Sequence, residues 1–155
     1  MGSWWGRGEP MPYATLRLTR RAGASMRNAE RCMDLLELAP GWLDGEGVPP
    51  TRELLELVGA WLDEHQRQGL EEPRLFPTPE GGVEAEWRIG RLDLSIEFDP
   101  SRGLAEWHQL DLDSGAVVEQ QVALQDAPGM RELGIKLQQI LAASNPISEA
   151  EETAR

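Results

Sequence analysis

One cysteine, Cys32, and two histidines are all that the 155 residues offer of the side chains that staple folds or ligate metals. A single thiol cannot close an internal disulfide, so a secreted disulfide scaffold is excluded and a reducing cytoplasm is the expected location. No apolar run approaches the roughly 20 residues that a membrane helix requires. The N-terminus also lacks a basic segment followed by an apolar stretch and a cleavage site. Glycines are plentiful, yet none builds a phosphate cradle: no lysine follows Gly45 and Gly47, and Asp44 and Glu46 stand where phosphate would sit. Neither a serine elbow nor a cysteine with a base is present. No motif names a reaction, and no cofactor or metal is called for.

What is abundant is negative charge. The net charge is −12, unevenly distributed. Residues 1–31 hold six arginines against Glu9 and Glu30, whereas the remaining 124 residues hold nine basic and 25 acidic groups, a balance of −16. Such a body repels nucleic acid at long range, because DNA binding neutralises phosphates with Lys and Arg. It suits solubility or a basic protein partner.

Length allows one domain with its own core. Residues 1–25 mix Trp4, Trp5, glycines, prolines and arginines without a period, apart from a short alternation at Tyr13 to Leu18, and read as a flexible basic arm. The arm is either inert, with Met26 the natural start, or a nucleic-acid arm. Residues 26–143 read as a single α+β domain, and residues 144–155 as a disordered acidic tail.

Within the domain, Met26, Ala29, Met33, Leu36 and Ala39 recur at helical spacing after Ser25, until Pro40 and Gly41 stop the helix. In the following glycine loop, Trp42 and Leu43 are placed to pin the loop to the core. Thr51 caps a second helix with an apolar stripe through Leu54, Leu55, Val58, Trp61 and Leu62, and with Glu53, Glu56, Asp63, Glu64 and Arg67 on its outer face. Gly69 ends it, and His65 near the last turn reads as a solvated or capping residue.

The chain then changes period. Val83, Ala85, Trp87 and Ile89 alternate with Glu84, Glu86 and Arg88, and Leu92, Leu94, Ile96 and Phe98 alternate with Asp93, Ser95 and Glu97. Gly90-Arg91 between them reads as a two-residue type II′ hairpin. Further strands follow at Leu104 to Leu112 and Val117 to Leu124, then a helix carrying Met130, Leu133, Leu137, Ile140 and Leu141. The expected fold is two N-terminal helices, a four-stranded antiparallel meander and a C-terminal helix, with a short fifth strand at Arg74 to Phe76 left open. One strand is in conflict with itself, since Trp107 falls opposite Leu110 and Leu112. Either Trp107 is exposed among acids, or a bulge near His108 and Gln109 flips the phase.

The strings Gly41-Trp42-Leu43-Asp44-Gly45-Glu46-Gly47, Pro77-Thr78-Pro79-Glu80-Gly81-Gly82-Val83 with Glu86-Trp87, and Glu106-Trp107-His108 before Leu110-Asp111-Leu112 resemble a family of small, uncharacterised bacterial proteins. The resemblance covers roughly residues 41 to 135. It carries no activity, but such families often partner another small protein in mobile or defence loci.

The candidate partner-binding residues are Glu80, Glu84, Glu86, Glu106, Trp107 and His108. An acidic sheet face with an aromatic anchor suits an arginine-rich partner, as in an antitoxin-like or immunity-like inhibitor. The same carboxylates and imidazole could instead perform acid–base chemistry or hold a divalent ion. A third reading is nucleic-acid binding through the arginines of residues 1–31.

Overall fold

In the computed structural model, residues 26–143 are described, and both the arm and the tail lie outside them. Three helices and a five-stranded sheet succeed one another: α1 (Met26–Leu36), α2 (Arg52–Arg67), β1 (Arg74–Pro77), β2 (Val83–Ile89), β3 (Leu92–Asp99), β4 (Leu104–Asp111), β5 (Val117–Ala123) and α3 (Ala127–Ala143). The sheet is an antiparallel meander in the order β1-β2-β3-β4-β5. The four-stranded expectation is thus one strand short. Leu75 is buried opposite Ala85 while Arg74 and Phe76 point outward, so even this four-residue strand alternates.

The Gly90-Arg91 hairpin has the expected register. Ile89 pairs with Leu92, and Gly90 takes φ +58°, the left-handed conformation that a glycine reaches cheaply. That register puts Val83, Ala85 and Trp87 on one face with Leu94, Ile96 and Phe98, all buried against the helices. Trp61 of α2 meets Phe98 edge-on at 5.6 Å and donates its indole N–H to Met130 O of α3 at 2.8 Å, linking the layers.

The conflict in β4 resolves without a bulge. Its ladders to β3 and β5 run unbroken, Trp107 is 1 % exposed and pairs with Ile96, and Leu110 and Leu112 fall on the outer side. Burying an indole of 150–250 Å² is worth about 4–6 kcal/mol, more than leaving Leu110 half-buried and Leu112 exposed costs. The larger side chain sets the phase.

Three local expectations need correction. α1 stops at Leu36 rather than reaching Pro40, and its core stripe is Ala29, Cys32, Leu35 and Leu36, with Met33 only half-buried. Trp42 does not reach the core: its Nε1 donates to Val48 O at 3.1 Å, folding the ring over its own loop, and Leu43 is exposed. Asp63 and His65 are both buried rather than solvated; α3 covers the side of α2 that carries His65. The Thr51 cap is as expected, with its hydroxyl accepting from Leu54 N.

The residue that follows the first string, Val48, packs on the second. Val48 N donates to Pro79 O at 2.8 Å, and Val48 bridges to Glu80. Thr78 holds the turn closed by accepting from Gly82 N at 2.9 Å, and a Cβ on Gly82 would sit 2.7 Å from Phe98 O. The glycine there answers a close approach of two backbones.

Candidate functional site

The alternation that buries one face of the sheet leaves the other lined with polar side chains, and cross-strand register arranges them in rows. One row runs Phe76, Glu84, Glu97, Glu106, Gln121 from β1 to β5. The adjacent row runs Arg74, Glu86, Ser95, His108, Glu119. Three carboxylates therefore stand directly opposite one another on the three central strands, an arrangement that costs energy in a sheet unless something neutralises it.

Neutralisation within the face is partial. Arg102, in the β3–β4 turn, forms an ion pair with Glu106 and lies 3.9 Å from Asp99. Arg74 lies 3.7 Å from Glu86, and His108 Nε2 lies 3.8 Å from Glu119. These contacts reach the rim of the row more than its centre. Burial holds the Glu84 carboxyl above the usual glutamate range, reinforced by a hydrogen bond and repulsion from Glu86 and by repulsion from Glu97, with His108 acting the other way. Burial also raises Glu97, with Asp99, Glu106 and Glu80 adding repulsion and Arg102 opposing it. At neutral pH the centre of the face is crowded with negative charge.

Glu84, Glu86, Glu106 and His108 thus share one face, and Glu80 stands close enough to repel Glu97. Trp107 does not join them. It is buried on the opposite face beneath Lys136 of α3, whose Nζ lies 4.9 Å from the ring centroid, so it is no anchor for a partner. The residue the sequence reading passed over is Glu97. The hairpin register already contained it: if Ile89 faces Leu92, counting back along both strands brings Glu84 opposite Glu97.

At the β1 edge of this face lies a groove of about 450 Å³ between α1 and β1, lined by Arg31, Asp34, Glu72, Arg74 and Phe76 among others. Phe76, 37 % exposed, borders both the groove and the acidic row. Among the described residues, no group of three or more His, Cys, Asp or Glu side chains is placed to hold a metal ion. Nor is any helix among them long and apolar enough to cross a membrane.

Comparison with family models, with curated proteins and with solved structures found no match to this chain. The functional reading therefore rests on the site itself.

Proposed function

We propose that this chain is a non-enzymatic binding protein whose open sheet face receives an arginine-rich segment of a basic protein partner, occluding it as an antitoxin or immunity protein occludes its target. The observation that supports this reading is the row Glu84, Glu97, Glu106, with two of its carboxyls raised by burial and mutual repulsion. Guanidinium groups docking there would relieve repulsion already present in the free protein, and each can engage a carboxylate through two parallel hydrogen bonds. Phe76 supplies an exposed ring at the rim, over which a cation can also sit; Arg74 already lies 5.8 Å from its centroid. The strong net negative charge would steer a basic partner toward the protein.

The test uses a nona-arginine peptide as probe against the full chain at low salt, followed by calorimetry. Substituting Glu84, Glu97 and Glu106 together by Gln is expected to weaken binding at least tenfold, while neutralising the exposed Glu53, Asp113 and Glu132 on other surfaces leaves it nearly unchanged. Equal losses from the two triple variants would reduce the effect to net charge and overturn the reading.

A further inference from the structure

The two edges of the sheet are built differently. β1 is four residues long and ends in Pro77, and its outward carbonyl at Leu75 accepts from Arg31 Nε at 2.9 Å. This edge is short, proline-terminated and partly satisfied, as sheet edges usually are. β5 is seven residues long, contains neither proline nor lysine, and among the described residues pairs with β4 alone. All its residues except Val122 are exposed, including Val117 at 52 % and Val118 at 43 %.

We propose that β5 pairs antiparallel with β5 of a second copy of this chain, about a two-fold axis at Gln120, making one continuous ten-stranded sheet. Its side chains are self-complementary in that register. Val118 stands opposite Val122 on the helix-covered face, Val117 opposite Ala123 on the open face, and Glu119, the only charged residue of the strand, opposite the Gln121 amide. The neighbouring two-fold registers that keep like faces together are poorer. An axis at Glu119 sets two carboxylates against each other, and an axis at Gln121 leaves Val117 and Val118 beyond the end of the partner strand. Lys136, bonded to Gln120 Oε1 at 2.9 Å, is drawn inward over Trp107 and away from the edge.

Two seven-residue strands make an interface at or below the small end of the specific range, about 1,200 Å². Each copy carries −12, so long-range repulsion opposes pairing and added salt screens it. Salt therefore strengthens this association, whereas it weakens an arginine-rich partner on the acidic face. The inference is independent of that face, and either can fail without the other.

The experiment is sedimentation velocity of the full chain over a concentration series at low and high salt, combined with mild oxidation of Gln120→Cys. Directly opposed residues in an antiparallel pair lie about 4.5–5.5 Å apart at Cα, within the range a disulfide spans. Cys32 is buried and does not compete. The expected result is a dimer that grows with concentration and salt, and rapid cross-linking of Gln120→Cys but not of Val118→Cys, whose own copy lies four residues out of register, roughly 13 Å away. A monomer throughout the series would overturn the proposal, as would cross-linking of Val118→Cys as fast as Gln120→Cys.

Discussion

The imidazole of His65 on α2 occupies the space that Gly134 on α3 leaves by having no side chain. The ring is 1 % exposed, stacks at a tilt against Trp61 with centroids 4.8 Å apart, and has Gln138 Nε2 at 2.9 Å from its Nδ1. Gln138 also donates to Gln68 Oε1 at 3.4 Å, so its amide ties the ring to the end of α2. Two helices meet here through a glycine and a histidine.

Gly134→Ala is expected to destabilise the fold, because the added methyl collides with a ring held on two sides. Overpacking of this kind costs about 1–3 kcal/mol. Urea unfolding should show a lower midpoint with an unchanged slope, and His65→Ala in the same chain should recover part of the loss. Additive effects of the two substitutions would mean that they do not share this contact.

Stability should fall on mild acidification. Burial holds His65 below its ordinary value of 6.5, against the opposing pull of Glu64 on the same helix. Below 6.5 the unfolded chain takes up a proton that the folded chain resists, so the stability present above 6.5 is lost as the pH drops toward the depressed folded value. Denaturant titrations between about pH 7.5 and pH 5 should show this loss, and His65→Gln should flatten it.

Glu97→Gln should have the opposite sign. Burial first, then repulsion from Asp99, Glu106 and Glu80, holds the folded carboxyl above 4.5 against the pull of Arg102, so the cost of its charged form is felt at neutral pH and fades as the pH falls through the raised value to 4.5. The variant is expected to gain a few tenths to about 1 kcal/mol at pH 7, the usual scale of a cross-strand pair. The gain should disappear below about pH 4.5. A variant less stable than the parent at pH 7 would show that Glu97 is already neutralised.

Trp107 and Trp61 should respond differently to phenylalanine. Trp61 Nε1 donates to Met130 O within the core, whereas Trp107 Nε1 is buried with no hydrogen-bond partner among the described residues. Trp61→Phe removes a bond as well as volume, but Trp107→Phe also removes an unsatisfied N–H. We expect Trp61→Phe to cost about 1 kcal/mol more, read from urea midpoints.

The hairpin and the helix over residues 52–67 were legible because local cues agreed. Two-residue alternation met a glycine turn in one, and a threonine cap met a broad leucine stripe in the other. The burial of Trp107 was not decided locally, since alternation offered two phases and only the helices above the sheet made one cheaper. His65 was misread because a helix-end histidine is ordinarily solvated. The residue that changes this, Gly134, is 69 positions away in sequence and announces itself only once α3 packs.

Sequence alone determined which strands alternate, where the chain turns and how strongly acidic the body is, because these follow from residue spacing and charge counts. It also contained the opposition of Glu84 and Glu97, through the hairpin register. Tertiary structure decided which face each strand buries, that α3 closes over His65, and that Arg31 meets the β1 edge while β5, among the described residues, pairs with β4 alone. Those outcomes depend on contacts between segments far apart in the chain, where shape and burial outweigh local preference.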